Sequence, residues 1–313
     1  RMRILNPAET ETPMYWWSNI AAPEQADVRV LVPADYALHG DPGKGLLYIP
    51  VPEWEGLDRT YSTNIAKSGD AFYCIPEDRR PWIAALDGQG RGLVQLSTGR
   101  LRGRKLWNWG MGAGGRRWQE FLSVPDRPYI ELQAGLARTQ GQCLPMPPRS
   151  EWTWLEAYGL MEAAPARVHG KDWGDARRAV EERLDRELPA AWMEATLART
   201  DAVAKRAPRS ILQHGSGWGA LELRRREAFG EPPFCGPEMP FDTASLGPDQ
   251  APWLALLTGK RFPAAPPDQP PGAWMVQSHW RQLLREAASE KASDHWLSWL
   301  HLGVMAYHDG DTA

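Results

Sequence analysis

The residues best placed to do chemistry lie between Lys105 and Tyr158. Lys105-Leu-Trp-Asn-Trp-Gly opens the run, and a glycine-rich turn leads to Arg116-Arg117-Trp118. Pro128-Tyr-Ile-Glu-Leu-Gln-Ala-Gly follows, and Ser150-Glu-Trp-Thr-Trp-Leu-Glu-Ala-Tyr158 closes it. Two Trp-x-Trp pairs thus bracket one carboxylate, Glu131, set among apolar residues in a strand-like segment. Residues two apart on a strand share a face, so Trp107 and Trp109 are expected to point one way, and Trp152 and Trp154 likewise. An indole face stacks on the apolar C–H face of a pyranose ring, and a carboxylate binds hydroxyls or takes a proton. The combination predicts a sugar pocket in which Glu131 binds hydroxyls or moves a proton. The competing expectation for Glu131 is a buried carboxylate paired with one of the nearby arginines.

Stepping outward, residues 1–165 are patterned as β structure. Short apolar or alternating runs at Arg3–Asn6, Val28–Val32, Leu46–Val51, Ala71–Ile75, Trp82–Leu86, Gly92–Ser97, Lys105–Trp109, Tyr129–Ala134 and Trp152–Tyr158 are separated by Pro, Gly and Asp turns. Regular short strands with such turns indicate a sandwich or barrel. From Lys171 the apolar period becomes helical, with Asp172 as N-cap and Ala176, Val180, Leu184 and Leu188 on one stripe. Further helices are expected over 190–205, 217–229, 251–257, 274–290 and 295–308. The division expected is a carbohydrate-binding-like β-sandwich over 1–165, a helical segment with a Pro-rich connector over 166–270, and a helical pair over 271–313.

Other motifs fare less well as sites. Gly110-Met-Gly-Ala-Gly-Gly115 matches G-x-G-x-x-G, but no parallel βαβ unit surrounds it, so a flexible loop carrying Arg116, Arg117 and Trp118 over the pocket is expected instead of a dinucleotide site. His295, His301 and His308 lack a tight ligand spacing, Ser150 and Ser216 lack a nucleophile elbow, and no metal or cofactor is expected. Glu151 and Glu156, taken as members of one strand, fall on opposite faces and so should not act as a glycosidase dyad.

Composition narrows the class of function. A net charge of -3 over 313 residues supplies no basic field, so nucleic acid is not an expected partner. Indole dominates the aromatics, with 17 Trp against 8 Tyr and 6 Phe. Three distant cysteines form neither a zinc spacing nor a disulfide framework, which suits a reducing, cytoplasmic location. No membrane partner is expected, because no apolar stretch is long enough to cross a bilayer. A first residue other than Met and an end in mid-motif are read as an internal fragment of a longer protein.

Ile130-Glu131-Leu132-Gln133, the Pro-rich Leu144–Pro148 followed by Ser150-Glu151-Trp152, and Tyr15-Trp16-Trp17-Ser18-Asn19 together resemble the galactose mutarotase-like family, the aldose 1-epimerases and their relatives. Trp299-x-x-Leu302-Gly303, Tyr307 and Gly310-Asp311 resemble the start of a tetratricopeptide repeat (TPR). The combination is most similar to an uncharacterised bacterial family, a domain of unknown function, in which a mutarotase-like domain precedes such repeats. The resemblance implies a partial β-supersandwich followed by helices and the start of a TPR-like array. It implies carbohydrate binding or processing, with Glu131 as general base. Trp16, Trp17, Asn19, Trp107, Trp109, Arg116, Arg117, Trp118 and Gln133 are the expected substrate-binding residues. The family's acid histidine has no counterpart in the Tyr15–Asn19 segment, so whether the protein is an enzyme stays open. The alternative is a non-catalytic sugar-recognition or structural module whose C-terminal helices bind a protein partner.

Overall fold

The computed structural model of the protein describes residues 1–311. Its strands, in chain order, are β1 (Met2–Asn6), β2 (Thr12–Met14), β3 (Trp17–Pro23), β4 (Arg29–Leu31), β5 (Tyr36–Asp41), β6 (Gly45–Pro50), β7 (Glu53–Trp54) and β8 (Leu57–Asp58). They continue as β9 (Gly69–Tyr73), β10 (Trp82–Leu86), β11 (Arg91–Ser97), β12 (Gly103–Asn108), β13 (Tyr129–Gly135), β14 (Leu144–Met146), β15 (Ser150–Trp154) and β16 (Glu156–Glu162). The helices are α1 (Ala113–Leu122), α2 (Pro165–Val168), α3 (Trp173–Glu187), α4 (Ala190–Arg199), α5 (Asp201–Ala204), α6 (Gly217–Phe229), α7 (Ala251–Gly259), α8 (Ser278–Ala288) and α9 (Trp296–His308). The chain is thus β then α. Among the described residues no helix is long and apolar enough to cross a membrane.

The chain divides into two compact units, Arg1–Asp201 and Ala202–Ala313. The change from strand to helix falls between Glu162 and Pro165, but the first unit runs on through α4. The reason is visible in the sheets. A six-stranded antiparallel sheet, ordered β3-β13-β12-β9-β5-β6, faces a four-stranded one, ordered β16-β11-β10-β4. Between them Ala22, Ile130, Leu132, Leu106 and Tyr73 pack on Val30, Ile83 and Ala85. The other face of the four-stranded sheet is apolar too: Leu31, Trp82, Ala84, Leu86 and Leu96 meet Val168, Trp173, Ala176, Val180 and Leu184 of the helices. A strand buried on both faces reads as an unbroken apolar run, as Trp82-Ile-Ala-Ala-Leu86 does. The helices are the cover that this second apolar face requires. Asp172 caps α3 by accepting from the Asp175 backbone N–H, as its position in the sequence predicts.

Two expectations need correction. The run Trp152–Tyr158 is not one strand: it breaks at Leu155, β15 pairs with β1, and β16 pairs with β11. The parity argument about Glu151 and Glu156 therefore does not apply. Glu151 pairs with Arg3, while Glu156 accepts hydrogen bonds from Ser18, Trp154 and Tyr158, so each has its own structural role. The glycine-rich segment is also not a flexible loop. Gly110, at φ +79°, makes the sharp turn out of β12, and α1 follows with Gly112 at its N-cap.

The second unit is built on one apolar cluster of Leu221, Trp253, Leu256, Phe262, Trp280, Leu284, Leu297 and Met305. His301 packs edge-on against Trp253 and Phe262, and burial lowers its pKa. Helices α8 and α9 pack on each other, close to the spans their amphipathic patterns predict.

Candidate functional site

With its inner face on the sandwich core, the six-stranded sheet presents the opposite face of β13, β12 and β9, and strand alternation decides which side chains lie there. On β13, Ile130, Leu132 and Ala134 go to the interior, and Tyr129, Glu131 and Gln133 to the opposite face. Residues directly opposite on neighbouring strands share a face. Glu131 stands opposite Ala21 and Trp107, Gln133 opposite Asn19 and Lys105, and Trp107 opposite Asp70. One face therefore collects Trp17, Asn19, Asp70, Phe72, Lys105, Trp107, Glu131 and Gln133 from four strands.

Glu131 Oε2 accepts from Asn19 Nδ2 at 2.7 Å and from Gln133 Nε2 at 2.8 Å. Among the described residues it has no cationic partner, and its Oε1 accepts no hydrogen bond from the protein. Gln133 Oε1 accepts from Gln140 Nε2 at 2.8 Å, and Gln140 Oε1 accepts from Lys105 Nζ at 2.5 Å. Lys105 is also paired with Asp70 at 2.5 Å, and its ammonium lies 5.3 Å from the ring centres of both Phe72 and Trp107. Such placement over aromatic faces favours a cation that has left water.

Aromatics extend the face. The Trp107 and Trp109 rings meet edge-on at 5.5 Å, so this Trp-x-Trp pair does work as a unit. Trp109 touches Trp118 of α1 at 6.4 Å and Tyr129 at 5.9 Å. Burial and the negative charge of Glu131 push the Tyr129 phenol up. Beside Glu131 lies a cleft of about 500 Å³ lined by Asn19, Ala21, Leu122, Val124, Arg127 and Tyr129. A larger groove, about 670 Å³, runs along β3 and β16, lined by Leu93, Leu160 and Met161, and does not include Glu131.

The structure separates the expected site residues into two groups. Trp17, Asn19, Trp107, Trp109, Trp118, Glu131 and Gln133 lie on or beside the one face. Trp16 does not: it packs edge-on against Trp154 at 5.6 Å, in a separate cluster with Leu101 and Leu136. The second Trp-x-Trp pair belongs to that cluster as well, because β15 pairs with β1 rather than with the six-stranded sheet. Arg116 is turned away to pair with Glu24, whose side chain is buried, and with the Gly110 carbonyl. Arg117 is exposed on α1. Asp70, Lys105, Tyr129 and Gln140 belong to the site without having been expected there. Lys105 and Tyr129 stand two residues from Trp107 and Glu131, so parity alone would have found them. Asp70 and Gln140 become neighbours of the site only through strand pairing and a loop.

Residues 2–147 match the family model described as a domain of unknown function, DUF5107. A TPR-domain containing protein from Parabacteroides distasonis is similar at 19% identity and a TM-score of 0.49, over 98% of this chain and 49% of that one. A galactose mutarotase-like protein from Clostridium acetobutylicum is similar at 11% identity and a TM-score of 0.36, over 51% of each chain. The Slr1438 protein from Synechocystis sp. PCC 6803 is similar at 14% identity and a TM-score of 0.35, over 51% of this chain and 49% of that one. The chain spans about half the length of these solved structures. The matched stretch, residues 2–147, carries β1 to β14 and with them Glu131 and its hydrogen-bond partners, and a helical region follows it.

Proposed function

We propose that the face of the six-stranded sheet around Glu131 binds a carbohydrate. The observation that carries this reading is the state of Glu131: it is held by two amide donors on Oε2 and has no cationic partner among the described residues. The competing expectation, a buried carboxylate paired with an arginine, is not what surrounds Glu131. A carboxylate held by one oxygen leaves the other to accept from a ligand hydroxyl, and Trp107 and Tyr129 beside it offer apolar ring faces. Glu131 would serve as general base if the site is catalytic. A protein-binding role for the helical unit is the second reading, favoured by the exposure of Trp299 and Tyr307 on α9.

The test is calorimetric titration of the protein against a panel of neutral monosaccharides and oligosaccharides. Glu131→Gln keeps the shape and one acceptor but not the charge. It should weaken binding about tenfold or more, as loss of a charged hydrogen bond does, and leave the melting temperature nearly unchanged, since no partner charge is stranded. Absence of binding to every sugar, or binding that survives both Glu131→Gln and Trp107→Ala, would remove this reading.

A further inference from the structure

Lys105 stands at one end of a chain of side chains that ends on Glu131. Its ammonium donates to Gln140 Oε1, Gln140 Nε2 donates to Gln133 Oε1, and Gln133 Nε2 donates to Glu131 Oε2. Taken singly, each amide could be turned over, exchanging its oxygen and nitrogen. The ends of the chain forbid it. An ammonium has three donors and no acceptor, so Gln140 must turn its oxygen to Lys105 and its NH2 to Gln133. Gln133 must then meet that NH2 with its oxygen, which leaves its own NH2 for Glu131.

We propose that Lys105 is a positioning residue of the site: acting through Gln140 and Gln133, it ensures that Glu131 meets an N–H donor and never a carbonyl oxygen. The carboxylate is thereby turned so that Oε1 is the oxygen left for a ligand, which rests on the carbohydrate reading. Asp70 complements the device. It neutralises Lys105 at 2.5 Å, so the lysine acts on Glu131 through the direction of the hydrogen bonds rather than as a net cation. Packing holds the lysine in place: its side chain is only 5% exposed, between Phe72 and Trp107. Without Lys105 no donor-only group would fix the direction of the two amides at that end, and the reverse direction would become available. Among the described residues, Tyr129 on its own strand and Arg127 in the cleft are the other titratable groups that line the cleft with Glu131.

The experiment is a titration of the Glu131 carboxyl by NMR in the full chain carrying ¹³C-carboxyl-labelled glutamate, with Glu131→Gln to assign the signal. Lys105→Met combined with Asp70→Leu removes the ion pair without changing the net charge, which keeps the through-space contribution to any shift small. The midpoint should rise by up to about one pH unit, the scale set by one hydrogen bond to a charged acceptor. An unchanged midpoint in the folded double variant overturns the proposal. Should that variant fail to fold, Lys105→Gln with Asp70→Asn keeps shape and polar contacts while removing the donor-only group, and the same rise is expected. The two readings fail separately. A raised midpoint in a protein that binds no sugar would end the carbohydrate reading and support the relay, whereas sugar binding with an unmoved midpoint would end the relay alone.

Discussion

The indole of Trp17 lies over the backbone of Gly135, its register partner across β3 and β13. A Cβ at Gly135 would stand 2.3 Å from Trp17 Cε2 and 2.4 Å from Cδ2. The missing side chain lets an aromatic ring settle onto the sheet beside Gln133 and, at 6.0 Å, edge-on to Phe72. Gly135→Ala must displace that ring. Overpacking of this kind costs about 1–3 kcal/mol, which a thermal melt will read. If Trp17 is part of the sugar platform, affinity should fall in the same variant. An unchanged melting temperature would mean that the ring moves aside freely.

Arg29 is the bolt between sheet and helices. It is 2% exposed and pairs with Asp58 at 3.0 Å. Its Nη1 donates to the carbonyls of Val168 and Gly170 at 2.8 and 2.9 Å, the end of α2. Arg29→Met leaves those acceptors and Asp58 unmatched, and the expected loss is about 3 kcal/mol. Denaturant unfolding will measure it. A loss within error of zero would show that water replaces the guanidinium without cost.

Glu156 ties the edges of the two sheets, accepting from Ser18 on β3 and from Tyr158 on its own strand at 2.5 and 2.7 Å. Burial pushes its carboxyl up, but hydrogen bonds from Ser18, Trp154 and Tyr158 and the charge of Arg104 outweigh burial and hold it below the usual 4.5. Burial in turn lowers the pKa of Arg104, and the charge of Glu156 opposes this. A carboxyl depressed in the folded state adds stability above its unfolded pKa and loses it as the pH falls through the folded value. Glu156→Gln should therefore melt lower than the native protein at pH 7, and the gap should close below about pH 4.5. A gap constant from pH 3 to 7 would assign the effect to packing.

Residues 205–214 are all exposed and follow the division between the two compact units. Exposed backbone with few internal hydrogen bonds is where proteases cut first. Limited proteolysis should cleave there before it cleaves at 161–171, where Met161 and Val168 are buried on the four-stranded sheet. First cleavage within 161–171 would move the boundary back to the change from strand to helix.

Much of the framework could be read along the chain. The run Trp82–Leu86, the helix Gly217–Phe229 and the cap Asp172 have the bounds or the role that local pattern assigns them. What pattern misses are turns and partners. Leu155 carries no Gly or Pro signal, so the break between β15 and β16 is invisible until each half is seen on a different sheet. Likewise β3 begins within the aromatic segment Trp16-Trp17, where one indole goes to the Trp154 cluster and the next to the site.

By itself, then, the sequence determined the alternation that sets Glu131, Gln133 and Trp107 to one side of their strands. It also determined the order of β before α, because period two and period 3.6 are local properties of the chain. Only the tertiary structure decided what surrounds Glu131. Arg116 and Arg117 are much nearer to it in sequence than Asn19 is, yet Asn19 is the residue that holds it, because β3 pairs with β13 across 112 positions. Arg116 goes to the buried carboxylate of Glu24 instead. A buried charge takes whichever opposite charge the fold brings within reach, and reach depends on strand pairing, which no local pattern encodes.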